Sequence, residues 1–191
     1  MKLGDFGLAS SFAIPYVRQT SQVVTRWYRA PELLLGARNY GAAIDIWAAG
    51  CIFAELMLRT PYLAADSDAS QLDMIFRALG TPAESEWPGM RLLPGWTGKD
   101  ETRPKPMGGL AATFSAAGDA ELELLAWMLK FDPHKRPTAL ECLRTKYFER
   151  LPRPTKPELL PRKGDMGAVA DTLKRRGDDG LDVLPVRKVY A

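Results

Sequence analysis

Trp27-Tyr28-Arg29-Ala30-Pro31-Glu32 decides how the rest of the chain is read. Asp5-Phe6-Gly7 stands 27 residues before Glu32 and follows Lys2-Leu3-Gly4, which reads as the last piece of a strand. Between the two motifs, residues 8–31 are rich in Ser, Thr and Arg and show no helical period. Irregular segments of that length inside a compact domain usually carry function or motion. Downstream, residues 44–58 are apolar on every side, with Asp45 and Glu55 as the only charges. A helix apolar all round is a buried one, and Arg59-Thr60-Pro61 ends it. Asp132-Pro133-His134-Lys135-Arg136-Pro137 closes the series as a turn rich in charge and proline.

The remaining text is helical with clear punctuation. Asp66-Ser67-Asp68 offers caps to a helix ending at Leu79, with Gly80 and Pro82 as stop signals. Thr81-Pro82-Ala83-Glu84 has capping-box spacing and opens a short turn to Trp87. Residues 88–118 are broken by glycine and proline. Asp119 then caps a helix placing Leu122, Leu125, Ala126 and Leu129 on one face. Thr138-Ala139-Leu140-Glu141 is a second capping box, starting a helix towards Tyr147-Phe148. Beyond Arg150, prolines 152, 154, 157 and 161 make an extended tail. The expected fold class is mainly α, with a domain over 1–150 and a proline-rich, basic tail over 151–191.

Composition narrows the function classes. Of 191 residues 46% are apolar and 26% charged, a globular balance. Residues 151–191 carry 9 Lys/Arg against 6 Asp/Glu, and the remaining 17 of each sign cancel over 1–150. A neutral folded part argues against a nucleic-acid-binding domain, which concentrates basic charge on its folded face. Lys174-Arg175-Arg176 is a solvated charge run before it is a nuclear address. The longest apolar stretch, residues 46–54, is too short to span a bilayer, and no basic-then-apolar leader follows Met1. Cys51 and Cys142 make neither a disulfide framework nor a zinc site, so a reducing compartment is expected.

Asp5-Phe6-Gly7, Ala30-Pro31-Glu32, Asp45-Ile46-Trp47 with Gly50, and Asp132 to Arg136, in this order and at these separations, resemble the C-terminal lobe of a eukaryotic protein kinase. Val23-Val24-Thr25-Arg26-Trp27-Tyr28-Arg29 is similar to the activation-segment ending of the cyclin-dependent branch. Asp66-Ser67-Asp68, Gly80-Thr81-Pro82, Trp87-Pro88-Gly89-Met90 and residues 114–119 resemble its TFIIH-associated, CDK-activating members. The likeness runs over residues 2–160; the loop at 95–112 and the last thirty residues are unmatched.

The resemblance implies roles. Asp5 would be a metal ligand, because Mg²⁺ is a hard cation that wants oxygen donors around the phosphates of ATP. Phe6 would pack between lobes and Gly7 would permit the turn. Thr25 and Arg29 would belong to the substrate platform, and Thr20 would be the activating phosphosite. The third arginine that the family turns on that phosphate is expected three residues after Gly7, where this chain has Ser10. Glu32 and Arg136 would pair as a buried clamp. Asp45 would hydrogen-bond the catalytic-loop backbone from inside the core, with a plain N-cap as the rival reading. Trp47 would be structural, and His134, the one histidine, has no catalytic role.

ATP and Mg²⁺ are the implied cofactors. A cyclin and protein substrates are the implied partners, in a possible TFIIH-type assembly in the nucleus, with no direct nucleic-acid or membrane contact. The implied activity is phosphorylation of serine or threonine, in RNA polymerase II C-terminal repeats or in other cyclin-dependent kinases. The glycine-rich loop, the strand lysine, its helical glutamate partner and H-R-D…N occur nowhere in residues 1–191. Two expectations follow: a piece of an active kinase starting at the D-F-G motif, or a truncated, non-catalytic lobe that binds a cyclin or substrate. Coding sequence upstream of Met1 distinguishes them, since an in-frame H-R-D…N supports the enzyme.

Overall fold

The computed structural model describes residues 26–97 and 102–152, together with Gly4, Thr155 and Leu159. Among the described residues seven α-helices follow in order: α1 (Pro31–Leu34), α2 (Ala43–Leu58), α3 (Asp68–Leu79), α4 (Gly109–Thr113), α5 (Asp119–Met128), α6 (Ala139–Leu143) and α7 (Lys146–Glu149). Single 3₁₀ turns occupy Arg26–Tyr28, Met90–Leu92 and Pro133–Lys135. No strand occurs among the described residues, and no helix there is long and apolar enough to cross a membrane. Contacts divide the chain into two units, Met1–Arg150 and Leu151–Ala191. Lys2-Leu3 and nearly all of the tail lie outside the described residues.

α2 organises the first unit. Trp47, Gly50, Cys51 and Ala54 form its buried stripe, at the i, i+3, i+4, i+7 spacing of one helix face. Trp47, Cys51 and Ala54 join Leu63, Ile75, Phe76, Trp87, Met90, Leu125 and Leu129 in the main core. Ile46, Ala49 and Phe53, on a second stripe, pack on Leu124, Met128 and Cys142. Two apolar stripes explain why the helix text is apolar nearly all round. Gly50 lets α5 approach: a Cβ there would lie 3.0 Å from Met128 Cβ and 3.0 Å from Leu129 Cδ2. The helix ends at Arg59, in the left-handed region at φ 60°, whose N–H donates to Glu55 O at 2.7 Å.

Phe131 gathers the aromatic centre of the core, with ring centroids 6.3 Å from Trp47, 5.9 Å from Phe76 and 6.3 Å from Trp87. Gln71, fully buried, is satisfied at both ends of its amide. Its Oε1 accepts from Ala65 N–H at 3.1 Å and its Nε2 donates to Leu63 O at 2.9 Å. That amide pins the 63–65 connection against α3.

Helix punctuation differs from the sequence reading in particulars. α3 starts at a capping box of Ser67 with Ser70 and stops at Gly80, as the text suggests. Thr138 and Glu141 also form their box, Glu141 N–H donating to Thr138 Oγ1 at 3.2 Å. The Thr81–Glu84 box does not form. Thr81 Oγ1 instead accepts from Arg103 N–H at 3.1 Å, and Glu84 Oε1 accepts from Gly89 N–H at 2.8 Å. Gly118, not Asp119, is the N-cap of α5. On α5 Ala126 is exposed, while Leu124 and Met128 are buried, because this helix serves both clusters. The last helical stretch is split into α6 and α7 at Thr145, whose hydroxyl donates to Cys142 O at 2.7 Å and competes with the helical backbone ladder.

Candidate functional site

Pro31 opens α1 at its first position, where a fixed φ and a missing N–H do no harm. The turn buries Glu32, 104 residues in sequence from Arg136. Arg136 Nη1 donates to Glu32 Oε1 at 2.6 Å and Nη2 to Oε2 at 2.7 Å, a two-pronged pair. The other guanidinium donors are also used. Nε donates to Lys130 O at 2.7 Å, Nη1 to Ala43 O at 3.0 Å and Nη2 to Phe131 O at 3.0 Å. A guanidinium has five N–H donors, and here all five are engaged. Its carbon lies 5.0 Å from the centroid of the Trp47 ring, within cation–π range. One side chain thus joins the start of α1, the first turn of α2 and the end of α5.

Trp47 is fully buried, and its Nε1–H has no hydrogen-bond partner among the described residues. Burial pushes the Cys51 thiol up to about 12, with Arg136 pulling the other way. A thiol so protonated is no nucleophile. Cys51 and Cys142 are both free and buried.

The run before α1 is anchored residue by residue. Arg26 Nε donates to Asp68 Oδ1 at 2.7 Å and its Nη1 to Asp66 O at 3.0 Å. Trp27 Nε1 donates to Ala65 O at 3.2 Å, and Tyr28 OH donates to Glu55 Oε2 at 2.7 Å. Arg29 Nη1 reaches Asp68 Oδ1 and Oδ2 at 3.1 and 3.2 Å. Arg26–Tyr28 is thereby fixed to α2, to the start of α3 and to the loop between them. Asp68, the first residue of α3, is the hub.

Two further expected site residues fall among the described residues. Arg29 is buried and turned onto Asp68, where it supports the segment. Asp45 is exposed among the described residues, and this chain does not contain the catalytic loop it would bond. It lies two residues before Trp47, about 200° round a helix of 3.6 residues per turn, hence opposite the buried stripe. Nor does it cap α2, whose N-cap is Ala42 with no side-chain bond. Asp5, Phe6, Gly7, Ser10, Thr20 and Thr25 lie outside the described residues. Among those described, no three His, Cys, Asp or Glu side chains gather as a metal site. Asp5 is a hard oxygen donor of the kind Mg²⁺ takes.

Asp68 and Glu55 were not singled out by sequence reasoning. Asp68 reads as a capping residue, and its second role needs two arginines from about forty residues away. Asp68→Ala is expected to destabilise the chain by about 1–3 kcal/mol, because it takes an acidic acceptor from the buried Arg29. Urea melts of Asp68→Ala against the exposed control Asp66→Ala check this; equal midpoints would show that the hub carries no stability.

The chain matches the family model described as protein kinase domain over residues 1–148. It is 53% identical over 164 residues to serine/threonine-protein kinase crk1 of Schizosaccharomyces pombe, covering 86% of this chain and 48% of that kinase. It is 47% identical over 195 residues to cyclin-dependent kinase 7 of Xenopus laevis, covering 98% of this chain and 54% of the relative. Among solved structures, the CAK complex of Chaetomium thermophilum bound to ATP-gamma-S is similar, with a TM-score of 0.76 and 46% identity, over 85% of this chain and 51% of that one. The chain spans about half the length of the curated relatives it matches. A family match over 1–148 coincides with a segment end clamped by Glu32 and Arg136, and the chain therefore belongs to the protein kinase family, where it is a cyclin-dependent, CAK-like kinase sequence.

Proposed function

We propose that the complete protein transfers the γ-phosphoryl group of ATP to serine or threonine, in RNA polymerase II C-terminal repeats and in the activation loops of other cyclin-dependent kinases. The reading rests on one observation, the Glu32–Arg136 clamp behind an anchored Arg26–Arg29 run. A peptide substrate is positioned by main chain that must not move, and positioning supplies most of the rate in phosphoryl transfer. Residues 1–150 then form a kinase C-lobe with an activation segment over 5–32, and 151–191 a basic tail.

Within that lobe Asp5 is the Mg²⁺ ligand, and the ion neutralises phosphate charge when bound. Phe6 would pack between the lobes, Gly7 would permit the turn, Thr25 would meet the substrate side and Thr20 would be the phosphosite. Ser10 replaces one of the arginines that would hold a phosphate on Thr20, so phosphorylation activates less than in relatives with a full cluster. The partners are a cyclin and a TFIIH-type assembly in the nucleus, with neither nucleic acid nor membrane bound directly.

The test is the complete protein, purified with its cyclin and given Mg-ATP and a C-terminal-repeat peptide. Phosphate is expected on serine of the repeat and absent when that serine is replaced by alanine. An active preparation that phosphorylates a generic basic peptide and ignores both the repeat and a cyclin-dependent-kinase activation loop overturns the substrate assignment.

A further inference from the structure

A groove of about 370 Å³ opens between the end of α3, α4, the end of α5 and residues 105–106, and shares Lys130 and Phe131 with the surroundings of Arg136. That volume is near the lower end of the 300–1,000 Å³ common for ligand sites, enough for side chains rather than for a large cofactor. Leu79, Leu110, Leu129 and Phe131 give it an apolar lining. Part of its wall comes from the loop at 95–112, the stretch that the kinase resemblance leaves unmatched.

The wall is held in place. Thr81 N–H donates to Arg103 O at 2.9 Å, Arg103 N–H donates back to Thr81 Oγ1 at 3.1 Å, and Arg103 Nη2 meets Asp73 Oδ1 at 2.6 Å. Gly80 makes the approach possible: it sits at φ +82°, and a Cβ there would lie 2.9 Å from Lys105 Cγ and 3.0 Å from its backbone. A groove built before its ligand arrives avoids the ordering penalty of binding.

The charges of the lining are unequal. Lys105 pairs with Glu86. Lys135 Nζ donates to Ser85 O at 3.2 Å and Glu86 O at 2.6 Å and lies 3.5 Å from Asp132 Oδ2. Both acidic side chains of the lining are therefore matched. Lys130 is exposed and makes no ion pair among the described residues, and Glu86, the acidic group that feels its charge, is already bonded to Lys105. The hydrogen bond from Lys105 holds the Glu86 carboxyl below the usual range. The groove thus offers an apolar floor beside one unmatched positive charge.

We propose that this groove docks a short segment of a partner protein that presents a leucine-like side chain next to an acidic one. The apolar side chain enters over Leu110 and Leu129, and the carboxylate meets Lys130. The proposal concerns the groove alone and stands whether or not the chain takes part in phosphoryl transfer.

The test is fluorescence polarisation of the 191-residue chain with a fluorescein-labelled hexapeptide, Ser-Leu-Glu-Leu-Glu-Ser. Saturable binding is expected, lost when alanine replaces both leucines. Lys130→Glu should weaken it about fivefold, the scale of an exposed ion pair, with a smaller step for Lys130→Gln and erosion by added salt. A peptide with lysine in place of glutamate should show the reverse preference and favour Lys130→Glu. Lys130 is exposed, so thermal melts of both variants should match the parent. Absence of saturable binding overturns the proposal. So does binding indifferent to both Lys130 variants, which would mark unspecific apolar adhesion.

Discussion

Arg136→Ala is expected to lower the unfolding free energy by about 3–5 kcal/mol, the scale for removing one partner of a buried ion pair. That is a factor of about 10²–10³ or more in the folding constant. The size follows from what is left behind. Glu32 is 3% exposed and would be left buried with no guanidinium beside it. The carbonyls of Ala43, Lys130 and Phe131 would lose a donor as well. Arg38→Ala, in an exposed bend, should stay within about 0.5 kcal/mol. Arg136→Lys should fall between, because an ammonium brings three donors to a place that uses five.

Exchanging both partners separates two contributions. A buried pair replaced by apolar residues of similar volume is often neutral. Glu32→Leu with Arg136→Met is therefore expected to recover part of the loss, and only part, since three carbonyls still lack their donor. Urea melts of the set measure this. Equal small shifts for Arg136→Ala and Arg38→Ala would show that the clamp carries no stability.

The second large effect is on activity, and it rests on the proposed kinase reading. In the complete protein, Asp5→Asn exchanges an anionic oxygen donor for a neutral amide. Removing one electrostatic group from a reaction centre typically lowers the rate about 10²–10³-fold, and a loss at least that large is expected with the C-terminal-repeat peptide. A second readout separates damage to the metal site from damage to the fold. An ATP analogue with Mg²⁺ should raise the melting temperature of the parent more than that of Asp5→Asn, by the linkage between binding and stability, while the two ligand-free melts coincide. The 191-residue chain by itself contains no H-R-D…N and should give no turnover. Turnover by that chain, abolished by Asp5→Asn, would show that another residue serves as base.

Much of the local structure was legible because the signals act over a few residues. Ser67 and Gly80 bound α3, and Thr138 with Glu141 opens α6, since cap bonds form within three or four positions of themselves. The pairing of Glu32 with Arg136 was readable only through the family resemblance; no local pattern joins residues 104 positions apart. Where two local readings competed, packing chose. Thr81 had the spacing of a cap, yet its hydroxyl accepts from Arg103, because the returning loop supplies a donor that a short turn did not need.

By itself the sequence determined the helical character, both ends of α2 and α3 and the start of α6, the motif order that fixes the family, and the neutrality of 1–150. Tertiary structure alone decided what long-range contacts decide. Asp68 receives Arg26 and Arg29 because α3 starts where the run before α1 passes. Asp45 faces solvent because the orientation of α2 is set by two clusters at once. Ala126 is exposed and Leu124 buried because α5 lies between those same clusters. The physical reason is common to all three. Capping and periodicity are properties of a few consecutive residues, whereas the direction a helix face takes depends on burying apolar area against elements far away in the chain.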